Sequence, residues 1–359
     1  MRKQRLGRLA LAAAVATMTW LGAGAAARAQ DTKITGRVYA DFTDKENKDD
    51  GTGVKSSDSG TGTDVKRFYV GISHSFDSVW SASFVSDIGD QGTRRYDVFV
   101  KKAFIQAKVS PQAIFQLGSA DTAWIPFVEG LYGYRYVEQT LIDRFSFGAS
   151  ADWGVHFLGK SGGNDLFNYQ LSAENGRGFS NPARSKNVDF EGRFGFQPVK
   201  GFNIAVGGYS GKRGLETDAA PAKHTATRFD ATVAYANQNL RIGGEYVTAD
   251  NFTTVTSAAS DKADGFSGWA SFALNPKLAI FGRYDEFKPS KDLKPGLKDQ
   301  YYNLGLEFRI NKAFQASLVY KYDKVEGGAI STGNGTIGST VAGASGKYNE
   351  FGVWTVYNF

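Results

Sequence analysis

The 359-residue sequence has no cysteine. Disulfide scaffolds, thiolate metal sites, cysteine nucleophiles and a lipidated N-terminal cysteine are therefore excluded together. Proline is scarce at 8 residues, and histidine scarcer at 3. Beyond the first 30 residues no uninterrupted apolar run reaches the roughly 18–20 residues that a membrane helix needs, so a helical membrane protein does not fit. Helical periodicity is missing as well: from Lys33 onward the repeat is two, not 3.6.

A basic surplus is present, with 42 Lys and Arg against 36 Asp and Glu, but it sits at the N-terminus. Arg2, Lys3, Arg5 and Arg8 precede an Ala-rich apolar stretch, Leu9 to Ala27, and Ala27-Arg28-Ala29 supplies small residues around a cleavage point. This pattern predicts a secretory signal peptide over 1–29, with an uncleaved anchor as the alternative. Its removal leaves 37 Lys and Arg against 36 Asp and Glu, so the mature chain is nearly neutral. Nucleic-acid binding rests on clustered basic charge, and no nucleic-acid partner is expected.

What is there is alternation. Ile34, Gly36, Val38, Ala40 and Phe42 alternate with Thr35, Arg37, Tyr39 and Asp41, and Tyr302, Leu304, Leu306 and Phe308 alternate with Asn303, Glu307 and Arg309. A strand sends such sets to opposite faces. Sixteen segments of this kind are expected, near 33–42, 65–76, 79–88, 98–109, 112–120, 150–160, 165–175, 187–197, 201–210, 225–237, 239–249, 264–275, 277–287, 300–310, 313–323 and 346–359. Most are about the 9–11 residues that a tilted strand needs to cross a bilayer. Their connections alternate between tight turns such as Asp77-Ser78, Asn275-Pro276 and Asn311-Lys312 and long segments: 43–64, 89–97, 121–149, 176–186, 211–224, 250–263, 288–299 and 324–345. An even strand count with short turns at one end and long loops at the other predicts an all-β fold, a transmembrane antiparallel barrel of 16 strands with periplasmic turns and extracellular loops.

A soluble sandwich, propeller or β-helix also alternates. Against it, aromatic residues gather at strand ends: Phe42, Phe68, Tyr246, Tyr284, Tyr302 and Tyr322 toward the long loops, Phe76, Trp80, Phe157, Phe202, Tyr235, Phe314 and Tyr357 toward the short turns. The last strand carries Phe351, Val353, Thr355, Tyr357 and Phe359 on one face, a pattern resembling the signal that bacterial barrel-assembly machinery reads. Backbone groups in hydrocarbon must all be paired, so 346–359 is expected to close the sheet on 33–42. Adjacent in one strand, Lys101 and Lys102 should face opposite sides, Lys101 snorkelling to the headgroups.

Ala103-Phe104-Ile105-Gln106, Gln116-Leu117-Gly118, Asp121-Thr122-Ala123-Trp124-Ile125-Pro126-Phe127, Tyr132-Gly133-Tyr134-Arg135-Tyr136-Val137-Glu138 and Ala173-Glu174-Asn175-Gly176 resemble bacterial porins of the phosphate-selective O/P type. The resemblance covers the chain in architecture and about 80 residues in motif. It implies a homotrimer in outer-membrane lipid and lipopolysaccharide, with loop 121–149 folded into the lumen. The residues alone point the same way: this is the longest internal connection and is rich in Trp, Phe and Tyr. Packing at a subunit interface is its alternative.

The expected constriction comprises Glu129, Arg135 and Glu138 on that loop. Pore-lining cations are expected at Arg37, Arg67, Lys102, Arg193, Arg228, Arg241, Arg283, Arg309 and Lys321, with Lys108 also inward. Ten inward cations meet twelve inward carboxylates, which is no anion funnel, and pairs such as Arg228 with Asp230 read as wall structure. Cation clustering on one wall would instead give a transverse field that orients solutes.

The function expected is a channel for passive diffusion of small hydrophilic solutes or ions, with anions such as phosphate among them. It needs no cofactor and no metal and catalyses nothing. A barrel enzyme would require a Ser–His or Asp–His group, and His74, His156 and His224 lie far apart in sequence. A surface receptor is the other alternative, on the strength of the polar loops 43–64 and 324–345. Gly333-Asn334-Gly335-Thr336-Ile337-Gly338 spells a dinucleotide fingerprint without the strand-to-helix turn it needs. Asp44 to Gly51 lacks the ligand spacing of a calcium loop.

Overall fold

The computed structural model describes residues 31–90 and 96–359, so the expected signal peptide lies outside the described residues. The strands are β1 Asp31–Asp49, β2 Gly60–Ser75, β3 Trp80–Asp90, β4 Tyr96–Ser110, β5 Ala113–Asp121, β6 Ala151–Ser161, β7 Phe167–Glu174, β8 Asp189–Val199, β9 Phe202–Gly211, β10 Ala226–Ala236, β11 Leu240–Asp250, β12 Lys262–Asn275, β13 Leu278–Lys288, β14 Lys298–Arg309, β15 Phe314–Glu326, β16 Ala329–Thr332, β17 Gly335–Gly338 and β18 Ser345–Asn358. Each wall strand pairs antiparallel with the next, and β18 returns to β1, closing a barrel of 16 strands. The closing register runs from Arg37 opposite Asn358 to Asp49 opposite Gly346. Backbone bonds in both directions join Gly36 to Phe359, and a Cβ on Gly36 would lie 1.9 Å from the Phe359 ring, so a larger residue there would have to displace that ring.

Alternation sets which side each residue takes. On β13 Ala279, Phe281, Arg283, Asp285 and Phe287 are buried inward, while Ile280 and Tyr284 are exposed on the outer face. Ile34, Phe42, Leu171, Phe190 and Leu304 continue that outer apolar band. Its aromatic edges are paired rings, Tyr302 with Tyr320 and Tyr322 toward the long loops, and Phe314 with Tyr357 toward the turns. No described helix is long and apolar enough to cross a membrane.

Two departures from simple alternation matter. Opposite Tyr39 and Ala40 the register skips from Arg67 to Val65, and opposite Val85 and Ser86 it skips from Lys102 to Val100. Lys66 and Lys101 are thus the extra residues of two β-bulges, and a bulge re-aims a side chain. Lys101 does not reach the headgroups. It turns inward beside Lys102, its Nζ donating to the Tyr69 hydroxyl at 3.3 Å. Lys66 turns inward beside Arg67, 3.3 Å from Asp41 and 2.9 Å from Asp64. The driving force is the cost of a Lys on the lipid face, about 2–4 kcal/mol at the midplane.

The polar loops are also more ordered than their composition suggests. Most of 43–64 extends the β1–β2 hairpin, and 324–345 contains the β16–β17 hairpin, whose turn and second strand hold the Gly333 to Gly338 motif.

Candidate functional site

The segment joining β5 to β6 lies inside the barrel. It forms helix α1, Ile125–Tyr132, with Pro126 in the first turn, and the short α2, Leu141–Arg144. Proline suits a first turn because that N–H has no helical partner. Gly133 ends α1 at φ 85°, a left-handed conformation suited to glycine, and its amide donates to the Glu129 carbonyl.

Trp124, Ile125, Val128, Leu141, Ile142 and Phe147 of this segment are buried with wall residues Trp269, Phe281, Phe287, Val319 and Trp354 in one apolar cluster. Tyr134 stacks on Phe281 with centroids 4.0 Å apart, and Phe145 on Phe287 at 4.3 Å. Strands β11–β15 are therefore apolar on both faces where the loop packs. Each such aromatic pair adds about 0.5–1.5 kcal/mol beyond its area burial.

Wall cations fix the loop's backbone. Arg193 donates to the Ala123 carbonyl at 2.8 Å, Arg228 to that of Phe147 at 2.5 Å, and Arg283 to that of Gln139 at 2.5 Å. Arg241 donates to the carbonyls of Gly130 and Leu131, both at 2.9 Å, capping α1 where a helix carries partial negative charge. These four face inward as alternation predicts and hold the loop. Arg309 pairs with Glu307 at 2.9 Å. Lys321 is buried between Glu350, at 3.2 Å, and Glu138, at 3.6 Å.

Sequence reasoning missed Arg144. It is wholly buried, 3.1 Å from Asp285, 3.5 Å from Asp299 and 2.5 Å from Asp323, with its guanidinium 4.1 Å from the Tyr301 ring centroid. The available signal was the inward Asp285 and Asp323 together with Asp299, three carboxylates beside two wall cations, Arg283 and Lys321. Removing one side of such a buried network costs about 3–5 kcal/mol.

Three cavities flank the loop: one borders β1–β5, a second reaches from β2 and β4 round to β6–β10, and a third lies between β1, β2, β15 and β18. One of about 400 Å³ reaches toward the short turns, lined by Arg37, Lys101, Lys102, Asp121, Glu129 and Phe359 among others. A second, of about 450 Å³, rises past Phe179 and Arg213, and a third, of about 470 Å³, past Lys66 and Asn334. All three are lined by Arg135; Arg67 lines the second and third, Lys101 the first and second.

Arg135 is held by Glu129 at 2.7 Å and Asp143 at 3.2 Å, both on its own loop. Burial raises the Glu129 pKa, with the Arg135 charge only partly offsetting it. Burial also opposes ionisation of Glu138, but Lys321 and Arg144 outweigh it and hold that carboxyl at about 2. Arg67 pairs with Asp87 at 3.1 Å, Lys102 with Asp121 at 2.6 Å, and Arg37 donates to Asn358 at 2.7 Å.

His156 lies 2.9 Å from Ser172, both buried and neither lining the three cavities, while His74 contacts Thr32. Among the described residues no group of three or more His, Cys, Asp or Glu could hold a metal.

A closed sixteen-stranded barrel with an inward loop beside cavities that share Arg135 is the architecture of outer-membrane channel proteins. Solved structures with this fold include the anion-selective porin from Comamonas acidovorans, at 12% identity and TM-score 0.64 over 92% of this chain and 100% of that one. The trimer form of OmpT, an outer membrane protein of Vibrio cholerae, matches at 14% identity and TM-score 0.61 over 92% and 100%. The outer membrane channel DcaP of Acinetobacter baumannii matches at 10% identity and TM-score 0.60 over 92% and 97%. No family model matches the chain, and no curated protein sequence does.

Proposed function

We propose that this chain forms a water-filled channel in a bacterial outer membrane, through which small hydrophilic solutes and ions diffuse down their gradients without any reaction. The observation that carries this reading is the meeting of three cavities at Arg135, beside a loop packed against the opposite wall. Arg135 and Glu129 form the eyelet with Arg67 and Lys101, and Glu138 borders the cavity above it. Charged groups at a narrowing are how pores select.

Anions are the preferred ions in this reading. The cavity toward the turns has four side-chain cations, Arg37, Lys101, Lys102 and Arg135, against two side-chain carboxylates, Asp121 and Glu129. The other two cavities carry a smaller relative excess of the same sign. This supports the resemblance to phosphate-selective porins, with phosphate as one candidate solute. Export by the signal peptide, insertion by the barrel-assembly machinery through the strand ending at Phe359, and assembly as a homotrimer among outer-membrane lipid and lipopolysaccharide complete the reading.

Refolded residues 30–359 should give stable conductance in planar bilayers. Deleting 125–140 should raise it, because the loop lies inside the barrel and packs on its inner wall. Unchanged conductance in the deletion would contradict the constriction, and no conductance in the intact chain would favour a receptor.

A further inference from the structure

The bulge at Lys101 changes what the eyelet can do. Without it, alternation would send Lys102 inward and Lys101 to the lipid. With it, both ammonium groups enter the lumen, and Lys101 lines the cavity toward the turns as well as one of the two above. The second bulge, at Lys66, adds a cation in the same way on the neighbouring side of the same wall.

The two cations that share the junction with Lys101 are neutralised where they stand: Arg67 by Asp87 at 3.1 Å, Arg135 by Glu129 at 2.7 Å and Asp143 at 3.2 Å. Among the described residues no carboxylate lies within 4.0 Å of the Lys101 ammonium. Its direct contacts are neutral, the Tyr69 hydroxyl at 3.3 Å and the ring faces of Tyr69 and Phe179 with centroids at 4.7 and 5.4 Å, while Glu129 and Asp87 act on it from further away. Ring faces attract an ammonium without cancelling its charge, so they hold Lys101 in place. An ammonium has three donors, and Tyr69 takes one.

We propose that Lys101, placed in the lumen by its β-bulge, is an anion-binding residue of the eyelet, donating to small inorganic or carboxylate anions where two of the cavities meet. This rests on the channel reading above and assigns its selectivity to one side chain. Arg67 and Arg135, on the walls of the same junction, are each paired with carboxylates, and those carboxylates limit how tightly an anion is held at Lys101. An anion must leave as readily as it enters if the channel is to conduct.

The test is reversal potential under a KCl gradient for refolded wild type, Lys101→Gln and Lys101→Arg, with inorganic phosphate added as a competing anion. A unit charge about 5 Å from a passing ion in a water-like medium changes its occupancy roughly fourfold. Lys101→Gln should therefore lower the chloride-to-potassium permeability ratio by between about fourfold, if only chloride responds, and about sixteenfold, if potassium gains what chloride loses, and weaken the reduction of chloride current by phosphate. Lys101→Arg should keep both. Unchanged selectivity in Lys101→Gln, or equal loss in Lys101→Arg, would overturn the proposal while leaving the channel reading intact. A wild type that does not conduct would overturn the channel reading itself. Because the chain has no cysteine, Lys101→Cys gives a second check that does not depend on ion selectivity. A water-soluble anionic thiol reagent should modify it in the folded barrel, and failure to react would contradict the inward placement.

Discussion

At the scale of single residues, inward charges divide into those that hold the loop and those that border the cavities. Arg193, Arg228, Arg241 and Arg283 donate to loop carbonyls and so hold the loop in position, Arg228 lining one cavity as well. Glu129 is different, because it borders the cavity toward the turns and its pKa is raised by burial. A raised carboxyl pKa means that Glu129 takes up a proton before an ordinary glutamate does as pH falls. Arg135 keeps its charge throughout, so the eyelet becomes more positive. Anion preference should thus rise as pH is lowered from 7 toward 5, and Glu129→Gln should show the higher preference already at pH 7 with a flatter profile. Reversal potentials at the two pH values measure this, and a parallel pH dependence in both proteins would contradict it.

The residues behind this were only partly legible in the sequence. Alternation placed the wall arginines on the inward face, but a face assignment cannot tell an open lumen from one filled by a loop. The bulges were hidden for a related reason: register belongs to a pair of strands, and Val85 opposite Lys102 cannot be read from either strand alone. A signal existed. Two consecutive cations in a bilayer-crossing strand, Lys66-Arg67 or Lys101-Lys102, leave one facing hydrocarbon unless the strand bulges.

At the scale of elements, the strands were legible because each carries its own period-two pattern, and closure followed from the need to pair every backbone group in hydrocarbon. The β1–β18 pairing of Phe42 with Val353 realises the expected return of the last strand to the first. What the pattern did not carry is the second apolar face on β11–β15, where Trp269, Phe281, Phe287 and Val319 point inward because aromatic residues of the loop cover them. Leu304, on the outer face of β14 and 58% exposed, belongs to the lipid side alone. Leu304→Arg should destabilise the barrel by about 2–4 kcal/mol in reversible unfolding from lipid vesicles. A change below about 0.5 kcal/mol, the size of an ordinary surface substitution, would contradict its placement.

At the scale of the whole molecule, the lumen divides into a packed side and an open side. Counting every inward charge gave ten cations and twelve carboxylates, and that balance hid the asymmetry. Glu245, Asp285 and Asp323 bond the loop on the packed side, while the three cavities that share Arg135 keep more side-chain cations than carboxylates. The central claim is this division. It is tested most directly by two single-cysteine variants in a chain that otherwise has none. Val85 lines the cavity toward the turns, whereas Ser271 is buried on the inner face of β12. A water-soluble charged thiol reagent should modify Val85→Cys rapidly and lower its conductance while leaving Ser271→Cys unmodified; the reverse order, or equal reaction at both positions, would contradict the account.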